Sequence, residues 1–114
     1  MKREFNLYLG DILECIRRVK EYTGDLELEQ FKKNQMVIDA TARNLEIIGE
    51  AAAQLQDWVK KKYVDVPWQD ITDFRNVVIH KYHTVDTDII WDIIEHKLTP
   101  LKKQVQHILK EEKK

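Results

Sequence analysis

Residues 5–22 read FNLYLGDILECIRRVKEY, and their apolar members recur with the period of an amphipathic helix. These apolar members are Phe5, Tyr8, Leu9, Ile12, Cys15, Ile16, Val19 and Tyr22. The pattern stops at Thr23-Gly24-Asp25, where residues that favour a turn follow one another. We therefore predict a long first helix whose apolar stripe packs against the rest of the molecule.

A second long helix is predicted from the same period between residues 37 and 55. Its stripe consists of Val37, Ile38, Ala42, Leu45, Ile48, Gly49, Ala52 and Leu55. Gly49 costs helix stability relative to alanine, so we expect a neighbouring helix to approach closely there. Short helical turns are predicted on either side, at residues 28–31 and 58–63.

The remainder of the chain adds two further helices. A third helix opens at Pro67 or Trp68, and Asp86 is suited to cap the fourth. Pro100 is expected to kink or restart the fourth helix, and residues 111–114 are expected to be a solvated tail. Together these patterns predict an all-α, up-and-down bundle of four to five helices.

The length and charge of the chain limit how it can bind a partner. The 114 residues are enough for one domain, which we assign to residues 1–114. Lys and Arg total 19 and Asp and Glu total 20, so the net charge is −1. A chain this close to neutral has no overall attraction for nucleic acid. Any RNA contact must therefore come from a local basic patch or from a groove that two subunits form.

Cysteine content and hydropathy indicate the compartment. The single cysteine, Cys15, lies on the apolar stripe of the first helix and is predicted to be a buried, reduced thiol. No apolar run approaches the length of a membrane span, and residues 1–4 carry no signal-peptide pattern. We therefore expect a cytoplasmic protein without membrane association.

The clearest chemical signal is RNVVIHKY at residues 75–82. The guanidinium of Arg75 is permanently charged and can grip a phosphate, and the imidazole of His80 exchanges a proton near neutral pH. Such a pair is what phosphodiester cleavage without a metal requires. On a continuous helix the two side chains would stand about 140° apart. Either the helix ends near His80, or a second copy of the chain supplies the missing half.

The same residues also have structural interpretations. A surface arginine and a helix-ending histidine are common in helices without a catalytic role, and Tyr82 alone is typical of the edge of a core. His80 and His83 with Asp86 and Asp88 could be drawn as a metal site, but their spacing matches no tight zinc pattern. We therefore predict no metal site there.

Glu46 and Glu50 form an i, i+4 pair of carboxylates, a spacing that binds metals in some helical bundles. The sequence lacks a second carboxylate–histidine set, so a structural role is favoured, in which Glu50 pairs with Arg75 and holds it in place. The tryptophans are expected to be core anchors or dimer contacts rather than stacking platforms for bases. They are Trp58, Trp68 and Trp91.

The motifs of the chain, taken in their order along the sequence, resemble those of the HepT-like branch of the HEPN superfamily. The signature of that branch is Arg, four residues, His, one residue, Tyr, and residues 75–82 match it fully. The surrounding segments that carry the resemblance are RNLEIIGEAA at 43–52, VPW at 66–68, ITDF at 71–74, VD at 85–86, IIWDII at 89–94 and LTPL at 98–101. The likeness runs from about Leu7 to about Leu109, and one departure is Thr99, where the family is expected to favour Leu.

The resemblance implies a homodimer in which the two motifs face each other across a cleft. It implies that Arg75 and His80 are the catalytic pair of a metal-independent endoribonuclease that needs no cofactor. Asn76 would orient the phosphate or the imidazole by hydrogen bonding.

The resemblance also implies a partner and a modification. Tyr82 would be the hydroxyl to which a minimal nucleotidyltransferase antitoxin of the MntA type transfers AMP. The chain would then be the toxin of a type VII-like toxin–antitoxin system. The alternative is a non-catalytic HEPN module that binds nucleotide or RNA, or that serves only as an adaptor.

Overall fold

The computed structural model of the chain describes residues 4–76 and 85–113. Within these residues the backbone forms helices and no strand, so the predicted all-α fold is confirmed. The helices are α1 (Phe5–Thr23), α2 (Leu28–Lys32), α3 (Gln35–Gln54), α4 (Asp57–Lys62), α5 (Trp68–Thr72), α6 (Thr87–His96) and α7 (Leu98–Glu112), with a 3₁₀ turn at Asp73–Arg75. No helix in the described ranges is long and apolar enough to span a membrane.

The core lies between α1 and α3, which pack against each other more extensively than any other pair. Around them, α7 packs on α1, α6 packs on α7, and α5 with the 3₁₀ turn packs on α3. The predicted stripe of α1 is buried, with no exposed surface at Leu9, Ile12, Ile16 or Val19. Cys15 lies in the same stripe as a buried free thiol, as predicted, and burial raises its pKa. Removal of these side chains from water is the main favourable term in folding.

Polar side chains cap the helices that follow turns. Asn34 precedes α3, and its side-chain oxygen accepts a hydrogen bond from the backbone N–H of Val37 at 3.1 Å. Asp86 precedes α6, and its Oδ1 atom accepts from the backbone N–H groups of Asp88 at 3.1 Å and Ile89 at 3.2 Å. The predicted N-cap at Asp86 is therefore confirmed, and such a cap stabilises a helix by about 1 kcal/mol.

The chain turns at Lys97 between α6 and α7, and Pro100 lies in the first turn of α7. A proline is tolerated there because the N–H that it lacks would have no partner inside the helix. The restart predicted around Pro100 is confirmed, and α7 begins at Leu98.

Residues 111 and 112 are not part of the solvated tail that was predicted for residues 111–114. Glu112 is the last residue of α7, and its carboxylate accepts hydrogen bonds from Lys62 Nζ at 2.7 Å and from the Tyr63 hydroxyl. The Glu112 side chain is only 15 % exposed. The prediction was wrong because both partners belong to a distant part of the sequence, and no local pattern indicates them. These contacts tie the end of α7 to the end of α4.

Candidate functional site

Arg75 is the last residue of the 3₁₀ turn that follows α5. Trp68, Ile71 and Phe74 precede it and are buried in the core. Because these side chains fix the segment against α3, the turn presents Arg75 at a defined place on the surface. The Arg75 side chain is 37 % exposed, which leaves its guanidinium accessible to a ligand.

The backbone leaves regular α-helical geometry before it reaches Arg75. Helix α5 ends at Thr72, and in the 3₁₀ turn the Asn76 N–H donates to the Asp73 carbonyl at 2.8 Å. A 3₁₀ turn has about three residues per turn instead of 3.6. The angle of about 140° between Arg75 and His80 therefore cannot be carried over from a regular helix.

Gly49 of α3 lets this turn approach without an intervening side chain. A Cβ atom added at Gly49 would lie 2.7 Å from the backbone nitrogen of Arg75 and 2.8 Å from the carbonyl oxygen of Thr72. Rotating a side chain cannot relieve contacts this short with backbone atoms. The close approach predicted at Gly49 is confirmed, and the neighbour is the turn that carries Arg75.

The next residue, Glu50, contacts the guanidinium of Arg75. Its Oε1 atom accepts a hydrogen bond from Arg75 Nη1 at 3.3 Å, so the pairing predicted from the sequence is confirmed. More than half of the Glu50 side chain is exposed, and a pair this open to water contributes at most about 1 kcal/mol. A guanidinium has five N–H donors. A single weak pair therefore leaves it able to bind a phosphate as well.

Of the predicted site, the structure describes Arg75 and Asn76. Asn76 follows Arg75 directly and is exposed beside it. His80 and Tyr82 fall within residues 77–84, outside the described residues. The convergence of Arg75 with His80 and the placement of Tyr82 therefore stay predictions.

Several carboxylates considered as metal ligands have other partners. Glu46 forms an ion pair with Arg43, and Asp86 caps α6. Asp88 forms an ion pair with Lys32 at 3.1 Å. Within residues 4–76 and 85–113, no group of three or more His, Cys, Asp or Glu side chains is arranged to hold a metal ion. These contacts favour the structural interpretation of the carboxylates.

Two of the three tryptophans lie in or against the core. Trp68 is buried, and its Nε1–H donates to the Tyr63 carbonyl at 3.0 Å. Trp91 packs against the core with its ring centroid 5.2 Å from that of Phe31. Trp58 differs, because 45 % of it is exposed. The role of core anchor is thus confirmed for Trp68 and Trp91.

Known proteins resemble this chain over nearly its whole length. A "Putative RNase" of Methanocaldococcus jannaschii is 37% identical over 105 residues, which cover 92% of this chain and 96% of that protein. A "Putative RNase" of Caldanaerobacter subterraneus subsp. tengcongensis is 38% identical over 106 residues, covering 93% and 95%. A "Probable ribonuclease HepT" of Thermococcus cleftensis is 32% identical over 110 residues, covering 96% and 100%.

A family model gives the same result. The model described as Ribonuclease HepT-like matches residues 12–108, a span that includes Gly49, Glu50 and the whole of residues 75–82. No solved structure matches the chain significantly. The match of the family model together with these relatives shows that the chain belongs to the HepT-like ribonuclease family.

Proposed function

We propose that this protein is a toxin that cleaves RNA without a metal ion, using Arg75 and His80. The observation that carries the proposal is that Arg75 is positioned by two contacts. Its backbone packs on Gly49, and its exposed guanidinium contacts Glu50. These contacts position the guanidinium, a group that can bind phosphate, at the first position of the Arg–His–Tyr signature. Membership of the HepT-like ribonuclease family supports the assignment of the substrate as RNA.

The reaction follows from the chemistry of the two groups. The imidazole of His80 removes the proton from a ribose 2′-OH, and the resulting oxygen attacks the adjacent phosphorus. Arg75 stabilises the negative charge that gathers on the phosphoryl oxygens, and Asn76 orients the phosphate or the imidazole. The 5′-oxygen leaves, so the products are a 2′,3′-cyclic phosphate and a 5′-hydroxyl. DNA lacks the 2′-OH and is inert in this mechanism.

A homodimer would complete the site. A twofold axis places the same residues on both sides of an interface, so two Arg75–His80 sets would line one cleft. The histidine of the second copy, or a water molecule, would protonate the leaving oxygen. Such a cleft would also concentrate positive charge in a chain whose net charge is −1.

A modification of Tyr82 would regulate this site. The partner is a minimal nucleotidyltransferase antitoxin that transfers AMP to the Tyr82 hydroxyl. Each AMP adds bulk and negative charge two residues from His80, which would block the cleft and repel RNA phosphates. The two proteins would then form a type VII-like toxin–antitoxin pair.

The decisive experiment is RNA cleavage by the purified protein in EDTA, with wild type and His80→Ala side by side. We expect the wild type alone to cleave and to leave cyclic-phosphate ends. Equal cleavage by both proteins would contradict the proposal. If neither protein cleaves and the intact mass shows no AMP on Tyr82, the non-catalytic binding module becomes the better interpretation.

A further inference from the structure

One face of the molecule is basic although the chain as a whole is not. From Lys97 to Lys110 the sequence contains four lysines and one histidine, and no Asp or Glu. Most of this segment is α7, whose apolar residues Leu101, Val105 and Ile108 are buried. The lysines of α7 therefore lie on its solvent-facing side, where Lys102 and Lys103 are exposed.

A groove between α1 and α7 opens beside these lysines. Its volume is about 490 Å³. The apolar residues Leu13 and Ile16 line it, together with the polar side chains of Lys20, Lys102 and Gln106. An apolar lining with ammonium groups beside it suits an extended anionic ligand, because the cations can reach its charges while its uncharged parts rest on the lining.

Lys20 of α1 adds a third ammonium group to those of Lys102 and Lys103 on α7. Its Nζ donates to the Thr99 hydroxyl at 2.8 Å, an uncharged partner at the start of α7. Burial lowers the pKa of Lys20, and the charges of Lys102 and Lys103 lower it further. Lys20 and Lys102 line the same groove. In the described part of the chain, no carboxylate lies within salt-bridge distance of any of these lysines.

The carboxylate that lines the groove does not oppose an anion. Glu14 accepts hydrogen bonds from Arg17 Nε and Nη2, each at 2.8 Å, and from Arg18 Nε at 3.2 Å. These arginines lower the pKa of Glu14 to about 2. The negative charge of Glu14 is thus compensated by arginines of α1. The lysines therefore make the electrostatic potential of the groove positive.

Gly10 provides a separate indication that something approaches this groove. It lies within α1, lines the groove and is exposed. Among the described residues, a Cβ atom added there would have no neighbour within 4 Å, so their packing does not require glycine. Glycine inside a helix is destabilising relative to alanine. Glycine at this exposed position leaves room for a ligand to pass close to the backbone of α1.

We propose that the α1–α7 groove binds the phosphodiester backbone of RNA through Lys20 and Lys102, which line it, and through Lys103, which follows Lys102 on the exposed side of α7. The inference rests on the proposed function, for which the near-neutral chain needs a local source of positive charge. Lysine is suited to this role, because its ammonium group binds phosphate as a point charge without reading sequence.

The opposite side of α1 borders a second groove, which Tyr8 and Asp11 line together with Glu50, the partner of Arg75. Both grooves border α1, so an RNA strand that lies in the first groove would have to cross α1 to approach Arg75.

The test measures binding of a fluorescently labelled single-stranded RNA by anisotropy, with every protein in the His80→Ala background to prevent cleavage. We expect Lys102→Gln/Lys103→Gln to weaken binding at least tenfold at low salt. The slope of log affinity against log salt should become shallower by about 0.7 for each phosphate that the variant no longer neutralises. The matched control is Lys33→Gln/Lys61→Gln, which removes the same charge from exposed positions outside the groove. Equal effects of the two double variants, or no effect of the first, would overturn the inference.

A second variant separates the groove from general electrostatics. Gly10→Gln leaves the net charge unchanged and replaces glycine with a better helix former. We expect an equal or higher melting temperature together with weaker RNA binding. Unchanged binding would overturn the assignment of this groove as the RNA path.

The outcomes also separate this inference from the proposed function. If the wild type cleaves RNA but its RNA affinity does not depend on Lys102 and Lys103, the inference is wrong and the proposed ribonuclease activity stands. If RNA binding depends on these lysines but the protein does not cleave RNA, the inference stands and the proposed ribonuclease activity is wrong. If the lysine variant instead loses affinity for polyglutamate while its RNA affinity is unchanged, the groove serves an acidic protein partner and the inference is wrong.

Discussion

At the scale of single residues, Gly49 and Gly10 are two glycines inside long helices that should respond in opposite ways to the same substitution. Gly49→Ala places a methyl group 2.7–2.8 Å from backbone atoms of Arg75 and Thr72. Overpacking of this kind costs about 1–3 kcal/mol, whereas the gain in helix propensity is at most about 1 kcal/mol. We therefore expect Gly49→Ala to destabilise the protein, and RNA cleavage to fall because the turn that carries Arg75 must move.

Gly10→Ala is the matched control for stability, because the added methyl group meets no atom of the described residues within 4 Å. We expect it to stabilise the protein by about 0.5–1 kcal/mol. Urea unfolding of the two variants measures both values, and cleavage by Gly49→Ala is compared with that by the wild type under conditions in which both are folded. Equal changes in the free energy of unfolding at the two positions would contradict the close packing of Gly49 against the turn that carries Arg75.

Glu50 should affect the orientation of Arg75 more than the stability of the fold. The pair is exposed, so Glu50→Ala should change the free energy of unfolding by less than about 1 kcal/mol. Without its partner the guanidinium samples more rotamers, and we expect the single-turnover cleavage rate to fall several-fold. Glu50→Gln keeps an oxygen that can accept the hydrogen bond from Arg75 Nη1 and should recover part of the rate. A faster Glu50→Ala protein would show instead that Glu50 competes with the phosphate for Arg75.

At the scale of helices, the contact between α4 and α7 predicts a dependence of stability on pH. The hydrogen bond from Lys62, together with that from Tyr63, lowers the pKa of Glu112. A carboxylate whose pKa is lower in the folded state stabilises the protein above its unfolded pKa, and this contribution disappears as the pH falls through the folded pKa. Wild type should therefore be more stable than Glu112→Gln at neutral pH. The difference should shrink as the pH falls below 4.5, the ordinary pKa of a glutamate.

Urea unfolding of both proteins over a series of pH values measures this difference. Glu95→Gln removes an exposed carboxylate from α6 and is the control. A difference that stays constant down to acid pH would mean that Glu112 stabilises by packing and not by charge.

How much of the bundle could be predicted depends on how far apart in sequence the interacting residues lie. The Asp86 cap and the stripe of α1 were predicted because their partners lie within a few residues. The close approach at Gly49 was also predicted, because glycine on an apolar helical stripe is itself a signal, but the sequence does not indicate which segment approaches. The contact of Lys62 with Glu112 joins residues 50 positions apart, and that of Lys20 with Thr99 joins residues 79 positions apart. Only the packed fold brings such pairs together.

The candidate site shows the same limit. Its residue types were read from RNVVIHKY, and the pairing of Arg75 with Glu50 was inferred from their chemistry. The α-helical geometry behind the angle of about 140° does not hold at Arg75, which ends a 3₁₀ turn whose backbone lies against Gly49. Helical periodicity cannot distinguish a 3₁₀ turn from an α-helix over three residues.

At the scale of the whole molecule, the proposed homodimer allows two arrangements of the proposed site, in which Arg75 and His80 come from one copy or from both. Arg75→Ala and His80→Ala should each be inactive alone, because each lacks one of the two groups. If Arg75 of one copy works with His80 of the other, a mixed dimer of the two variants contains one intact site and one site that lacks both groups. If both groups come from the same copy, no mixed dimer contains an intact site.

Mixing the two variants therefore distinguishes the arrangements. After unfolding and refolding together in equal amounts, half of the dimers are mixed, and a composite site predicts a return of about a quarter of wild-type cleavage. The two variants refolded separately and then combined serve as the control, because their dimers have not exchanged. Recovery only after joint refolding would establish that each site takes Arg75 from one copy and His80 from its partner. No recovery, from a preparation in which mass spectrometry finds mixed dimers, would contradict a composite site that works with one Arg75 from one copy and one His80 from the other.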